Sequence, residues 1–203
     1  MAALRVEFCD EFDGGFGWVG NEFLSRCSHA LVGGDGVWLI DPVDADGVEE
    51  RVREAGPPAG VIQLLDRHGR NCAELAARLG VPHHVVPQRP VGPFEFVAIQ
   101  RNRWWNEVAL WWPERRVLAC GDALGTVDYF CARGEQLGVH PVLRFKPPRQ
   151  LESLQPDAIL CGHGEGVFDA ADAALREALS TARRRIPRQV ASAVGAWWAN
   201  RSS

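Results

Sequence analysis

The sequence lacks the features that mark secreted, membrane and nucleic-acid-binding proteins. It has no run of about 18 consecutive apolar residues, and the charges at Arg5 and Glu7 make a secretory signal peptide unexpected. Its formal net charge of −4 provides no attraction to nucleic acid or to an anionic membrane. We therefore expect a cytoplasmic protein that binds neither nucleic acid nor membrane.

Two further absences exclude common types of chemistry. No Gly-x-Ser-x-Gly sequence is present to supply a serine nucleophile, and no Gly-x-x-x-x-Gly-Lys-Ser/Thr sequence is present to bind phosphate. The 6 cysteines include no Cys-x-x-Cys pair. They therefore indicate reduced thiols and not a disulfide framework.

What the sequence does contain is a pair of short apolar segments that each end at a glycine. Residues 117–120 are followed by a glycine and Asp122, and residues 158–161 are followed by a glycine and His163. A buried strand presents its last side chain at the edge of its sheet. Asp122 and His163 are therefore predicted to share one pocket.

The predicted elements follow the order of a sheet covered by helices and then a second sheet. The first half reads ββαβαβ, with a hairpin over residues 28–40 and a loop in the glycine-rich segment 14–20. The second half contributes three strands, a long irregular segment over 123–150, one more strand and two helices. The sequence predicts a single domain, 1–203, with two C-terminal helices (169–200) packed on it.

These features resemble the metallo-β-lactamase superfamily, whose later metal ligands arrive in turns similar to Gly-Asp-Ala-Leu at 121–124 and Gly-His-Gly at 162–164. The hairpin that ends in Ile-Asp-Pro at 40–42 is also similar to the opening of such proteins. The resemblance covers residues 28–167. It implies an α/β fold built as a four-layered αββα sandwich.

The resemblance also implies that most of the family's metal ligands are replaced. The family loop Thr-His-x-His-x-Asp-His corresponds to Asp-Arg-His-Gly-Arg-Asn-Cys at 66–72. The replaced ligand positions of the family are Arg67, Gly69, Asn71, Cys72 and a position near Arg103. Only Asp122 and His163 keep the expected residue types, and they would be the catalytic residues of an active member. The standard dinuclear metal centre is not expected, because an arginine stays protonated and cannot coordinate a metal.

A reduced metal site is one alternative for this pocket. Three side chains, Cys72, Asp122 and His163, would hold one zinc or iron ion. His68 is not included, because in an extended loop its side chain should point away from the neighbouring ligand positions.

A pocket filled by arginines is the other alternative. Arg67 and Arg103 would converge on Asp122 in place of the metals, because guanidinium and carboxylate groups pair closely. Together with His68 and Trp104, these arginines would bind a small anion.

Three functions follow, and we rank them by how many of the family's metal-ligand positions keep a residue that can bind a metal. The first is a metal-free pseudoenzyme or small-anion-binding module without a cofactor, whose partner is a small anionic molecule. The second is a metal-dependent hydrolase of a small ester or thioester with a mononuclear site. The third is a non-enzymatic homo-oligomer that uses a tryptophan-rich surface.

Overall fold

The computed structural model of the chain describes residues 5–34 and 36–201. The expectations for residues 1–4 and for Asp35, in the predicted hairpin turn, lie outside the described residues. No helix within the described ranges is long and apolar enough to cross a membrane.

The first sheet is built by the first half of the chain. Its six strands are hydrogen-bonded in chain order: β1 (Val6–Phe12), β2 (Gly15–Gly20), β3 (Cys27–Gly33), β4 (Gly36–Ile40), β5 (Pro58–Gln63) and β6 (His83–Val85). The first four are antiparallel, and the last two pairs are parallel. Each parallel connection contains one helix, α1 (Val48–Ala55) or α2 (Cys72–Leu79), as parallel strands require a crossover.

The second sheet is built by the second half. The remaining strands are β7 (Glu95–Asn102), β8 (Trp105–Trp112), β9 (Val117–Cys120), β10 (Leu124–Gly125), β11 (Gly138–Val139) and β12 (Ala158–Cys161). Four of them form a sheet in the order β12-β9-β8-β7, and β10 pairs with β11. The helices α3 (Ala171–Thr181) and α4 (Ile186–Arg201) follow.

Three apolar layers hold these elements together. Between the two sheets, residues such as Leu31 and Ile62 of the first sheet pack with Leu110 of the second. The helices α1 and α2 cover the outer face of the first sheet, and α3 covers the outer face of the second, where Leu175 packs against Ile159. The predicted αββα sandwich is therefore confirmed. The single-domain organisation of residues 1–203 stays a prediction.

One predicted loop is a strand. The glycine-rich segment 14–20 was expected to be irregular, but Gly15–Gly20 is β2 and pairs on both sides. The side chains of this segment alternate between the two faces of the sheet. Phe16 and Trp18 are buried on the face that the helices cover, and Gly17 lies between them on the opposite face.

The two glycine-terminated strands are neighbours. β9 and β12 run parallel with Cys120 opposite Cys161, so both end at the same edge of the second sheet. Asp122 and His163 each lie two residues beyond the end of their strand. Because Cys120 and Cys161 are paired, these two side chains lie next to each other at this edge.

Candidate metal centre

His68, Asp122 and His163 form one compact cluster at this sheet edge. The nitrogen Nε2 of His68 lies 2.9 Å from Oδ1 of Asp122, and Nε2 of His163 lies 3.1 Å from the same oxygen. One donor atom from each of the three residues lies within 4.8 Å of the others. The pocket predicted to be shared by Asp122 and His163 therefore contains a third side chain, His68.

Both imidazoles are held from behind by their other nitrogen. Nδ1 of His68 donates to the carboxylate of Asp41 at 2.9 Å, and Nδ1 of His163 donates to the carbonyl of Leu24 at 2.8 Å. Neither partner can donate a hydrogen, so both Nδ1 atoms carry the proton. In the neutral imidazoles, both Nε2 atoms therefore present a lone pair toward Asp122.

Two carboxylates, Asp41 and Asp122, determine the protonation of His68. Burial opposes a charge on His68, but the carboxylates of Asp41 and Asp122 outweigh this and raise its pKa to about 9. Burial alone would raise the pKa of Asp122, yet its hydrogen bonds with His163 and His68 hold that pKa well below the usual range. Without a metal, the cluster stores a proton on His68 at neutral pH.

A buried carboxylate, Glu107 of β8, fixes the turn that carries Asp122. Its Oε1 accepts the backbone amide hydrogens of Asp122 and Ala123, both at 2.9 Å, and its Oε2 accepts the indole hydrogen of Trp105 at 2.6 Å. Glu107 is fully buried, and this burial raises its pKa to about 7. Asp122 is thus positioned through its backbone as well as through its side chain.

The loop that follows β5 places His68 differently from the sequence prediction. The expectation that His68 points away assumed an extended loop, but the amide of His68 donates to the carbonyl of Leu65 in a tight turn. Strand alternation does not apply in a turn, so the His68 side chain enters the pocket. Cys72 lies elsewhere, in the apolar layer under α1 and α2, with its thiol 3.5 Å from the carbonyl of His68.

Arg67 and Arg103 do not fill the pocket in the way that the sequence predicted. Arg67 lies at the mouth, with its guanidinium 4.0 Å from Asp122 and 4.8 Å from the centre of the Trp105 ring. Arg103 lies over the ring of Trp104 at 4.3 Å, in the exposed turn between β7 and β8, and makes no ion pair with Asp122 in the described part of the chain. The predicted convergence of both arginines is therefore not observed.

A third arginine, Arg70, ties the backbone around the cluster together. Its guanidinium donates to the carbonyls of Cys27 and Asp41, at 2.6 and 2.8 Å, and to the carbonyl of Gly162 at 2.9 Å. These carbonyls belong to three separate segments that flank His68 and His163. Arg70 is thus a structural cation beneath the pocket.

Aromatic rings form one wall of the pocket. Phe130 stacks on His163 with the ring centres 5.5 Å apart, and His140 lies edge-on to both Phe130 and Trp105. Burial lowers the pKa of His140 to about 4, so its ring is neutral at neutral pH. Trp104, which was predicted to line the pocket, is 69% exposed.

The donor set of the cluster fits a metal ion. Catalytic zinc takes three protein ligands and keeps one open position, and two histidines with one carboxylate also suit ferrous iron. Hydrogen bonds from the rear nitrogen of a ligand histidine to a carboxylate or a carbonyl are the usual support for such a ligand. His68 and His163 both have this support, from Asp41 and Leu24.

Comparisons with known proteins identify the fold. No family model matches the sequence, and no protein with a curated description does. A crystal structure of DIM-1 metallo-β-lactamase is 12% identical, with a TM-score of 0.60 over 89% of this chain and 100% of that one. A metallo-β-lactamase from Pontibacter korlensis is 12% identical, with a TM-score of 0.57 over 87% and 99%. TTHA1623, solved in a di-iron-bound form, is 19% identical, with a TM-score of 0.52 over 74% and 93%.

This chain therefore has the metallo-β-lactamase fold, as the sequence resemblance implied. At such low identity the similarity shows the fold alone. The chemistry of the site has to be argued from the residues of this chain.

Three residues that support the site were not found from the sequence. Asp41 was noted only as part of the Ile-Asp-Pro ending, and Glu107 and Arg70 gave no motif. A carboxylate inside the apolar run of β8 was the one available signal, because a buried acid usually has several hydrogen-bond donors to satisfy.

Proposed function

We propose that this chain is a metal-dependent hydrolase of a small anionic ester or thioester, with a single zinc or iron ion held by His68, Asp122 and His163. The main support for this proposal is the arrangement of the imidazoles of His68 and His163. Both rear nitrogens are committed to hydrogen-bond acceptors, and both front nitrogens face one oxygen of Asp122 at 2.9 and 3.1 Å. A metal ion among these three groups would replace the proton that His68 otherwise carries.

The proposed ligand set differs from both alternatives drawn from the sequence. His68 takes the place expected for Cys72, so the set has two histidines and one carboxylate. A bound metal would supply an activated water and would polarise the substrate's carbonyl oxygen. Three protein ligands are enough for this, since the remaining positions stay open for water and substrate.

The surrounding residues would orient and select the substrate. Arg67 carries a permanent charge at the pocket mouth, where it donates to the carbonyl of Trp104 at 3.1 Å, and its side chain is 52% exposed, so its guanidinium is accessible to an incoming anion. Trp105 supports that guanidinium from below, and Phe130 keeps the His163 ring in place. These contacts favour a substrate with a negative group beside its reactive carbonyl.

Metal analysis of protein purified without chelator or affinity tag tests this proposal. We expect Asp122→Ala and His163→Ala to each hold one equivalent of zinc or iron less than the unchanged protein, and to lose hydrolysis of small thioesters. Asp128→Ala, an exposed acid on the following loop, is the matched control and should keep both. Equal metal content in all four proteins would refute the proposed site.

Anion binding without a metal is the second candidate function. It is favoured by the permanent charge of Arg67 at the pocket mouth, 4.0 Å from Asp122. In this case the front nitrogen of His68 would be protonated, and the pocket would bind a small carboxylate or phosphate. Isothermal titration with inorganic phosphate separates the two candidates, because only this one predicts binding that is unaffected by chelator and lost in Arg67→Ala.

A further inference from the structure

A second group of metal-binding side chains lies in the first sheet, apart from His68, Asp122 and His163. Donor atoms of Cys9, Asp10 and Cys27 lie within 4.8 Å of one another. The thiols of Cys9 and Cys27 are 3.7 Å apart, and Cys27 is 3.8 Å from Oδ2 of Asp10. His29 lies on one side of this group, with Nε2 3.6 Å from the Cys27 thiol and 2.9 Å from Asp10.

The register of three strands brings these side chains to one face. Cys9 of β1 is opposite Gly17 of β2, which is in turn opposite His29 of β3. Cys27 is two residues before His29, so it shares the same face.

Asp10 joins this face through an irregularity in β1. As the neighbour of Cys9 it would normally point to the opposite face, but the pairing shifts between Cys9 and Phe12. Asp10 has a φ of 53°, in the left-handed region, and this bulge turns its carboxylate inward. This backbone conformation, which aspartate adopts more readily than most residues, therefore brings a buried carboxylate into a group of thiols.

Gly17 makes room for the group. A Cβ atom at this position would lie 3.0 Å from Cδ2 of His29 and 3.2 Å from the Cys9 thiol. The absence of a side chain on the central strand therefore lets donors from the two outer strands meet above it.

The separation of the strands argues against a disulfide bond. β1 and β3 are separated by β2, so Cys9 and Cys27 lie two strand spacings of about 4.8 Å apart and are also offset by two residues along the strands. A disulfide requires α-carbons within about 7 Å. The two thiols can approach each other across Gly17, but this backbone does not allow them to bond.

We propose that Cys9, Asp10 and Cys27 form a second, structural metal site, that its ion is zinc, and that His29 moves toward the ion as the fourth ligand. Tetrahedral zinc with sulfur at about 2.3 Å and nitrogen at about 2.0 Å places two sulfurs about 3.8 Å apart and a sulfur and a nitrogen about 3.6 Å apart. The observed separations are 3.7 and 3.6 Å. The contact between Asp10 and His29 is 2.9 Å and would lengthen by about 0.4 Å on metal binding.

The site would connect the edge strand to the loop that carries His163. The ligands come from β1 and β3, and the other carboxylate oxygen of Asp10 accepts the amide hydrogen of Gly166 at 2.8 Å. Gly166 is three residues beyond His163. Zinc at this site would therefore hold the edge strand and stabilise the turn of the first site without taking part in its chemistry.

Cobalt(II) titration of the metal-stripped full chain tests this inference. Thiolate ligands give cobalt(II) a strong sulfur-to-metal absorption in the near ultraviolet, which histidine and carboxylate ligands cannot give. The titration is made in Asp122→Ala, so that the first site does not contribute. We expect one equivalent of cobalt(II) to produce the absorption and zinc to abolish it by displacement.

Three further variants in the same background complete the test. Cys9→Ser and Cys27→Ser should lose the absorption, whereas Cys131→Ser should keep it, because that buried thiol donates to the carbonyl of Gly125 and is not one of the proposed ligands. Cys9 is half-buried, so its replacement leaves a folded protein even if Cys27→Ser unfolds.

Three outcomes would overturn the second site, two from the titration and one from a thiol count. One is a folded protein without the absorption, and the other is an absorption that survives both replacements of Cys9 and Cys27. A count of four titratable thiols in denaturant, where 6 cysteines are present, would show oxidation and would also overturn it. Failure of the first site leaves the titration unchanged, so the two proposals fail independently.

Discussion

Glu107 accepts the backbone amide hydrogen of Asp122 at 2.9 Å, so a carboxylate that never reaches the pocket fixes the residue at its centre. The same oxygen accepts the amide hydrogen of Ala123, and the other oxygen accepts the indole hydrogen of Trp105. All three partners are donors. An ionised carboxylate satisfies all three with acceptors alone, while burial raises the pKa of Glu107 to about 7.

Replacement of Glu107 by glutamine should therefore disturb both stability and the site. The amide group would direct a donor at another donor, and this mismatch costs about 1–3 kcal/mol of unfolding free energy. We expect Glu107→Gln to lower the urea midpoint and to weaken zinc binding by His68, Asp122 and His163. Glu114→Gln, on the exposed turn after β8, is the control and should match the unchanged protein. Equal midpoints for the two variants would mean that the turn does not depend on Glu107.

The sequence predicted the residues that end regular strands better than those in turns. Asp122 and His163 follow β9 and β12. Once these strands are recognised as parallel neighbours, the pairing of Cys120 with Cys161 can be inferred. His68 could not be predicted in the same way, because its direction depends on the turn to Leu65 and not on strand alternation.

Long-range hydrogen bonds account for most of what the sequence did not show. Arg70 contacts carbonyls 29, 43 and 92 residues away in the chain. No local pattern encodes such partners. The glycines of β2 were misleading for a related reason: Gly17 is required by side chains from two neighbouring strands, whereas a glycine in isolation suggests a loop.

The titration of His140 should make the stability depend on pH. Burial lowers the pKa of its imidazole to about 4, below its ordinary value of 6.5, so the unfolded chain binds more protons between these two values. Stability from the neutral ring is complete above pH of about 6.5 and is lost as the pH falls through about 4. His140→Phe keeps a ring against Phe130 and Trp105 and should flatten this part of the profile.

Urea denaturation of both proteins at a series of pH values measures this effect. The difference between the two curves isolates His140, because the acidic residues contribute equally to both. His84→Phe is the control for loss of a histidine. Parallel curves for the unchanged protein and His140→Phe over this range would contradict the prediction.

Arg70 should be irreplaceable by lysine. Its guanidinium reaches the carbonyls of Cys27, Asp41 and Gly162 through two nitrogens, whereas one ammonium group cannot span all three. We expect Arg70→Lys to cost about 1–3 kcal/mol of unfolding free energy, as for a buried acceptor left unpaired. The loss should appear in urea denaturation and not in Arg89→Lys, where the side chain is exposed. A loss of the same size in Arg89→Lys would mean that Arg70 is not a special anchor.

The segment 123–150, which was predicted to be irregular but contains β10 and β11, is held by a buried arginine. Arg144 is fully buried, forms an ion pair with Glu135, and donates to the carbonyls of Phe130 and Val139. Because the ring of Phe130 stacks on His163, this network also supports the first site.

Replacement of Arg144 by methionine should therefore destabilise the chain strongly. It leaves the carboxylate of Glu135 buried without its main partner, and breaking such a pair costs about 3–5 kcal/mol. Arg185 lies 3.6 Å from the same carboxylate, so we expect the lower end of this range. Removing the charge as well, in Arg144→Met with Glu135→Gln, should recover part of the loss, because the buried carboxylate and not the lost contact dominates the cost. Urea denaturation of the single and double variants measures the recovery, with exposed Arg133→Met as the control. A double variant less stable than Arg144→Met would show that the hydrogen bonds to the carbonyls, and not the ion pair, hold the segment.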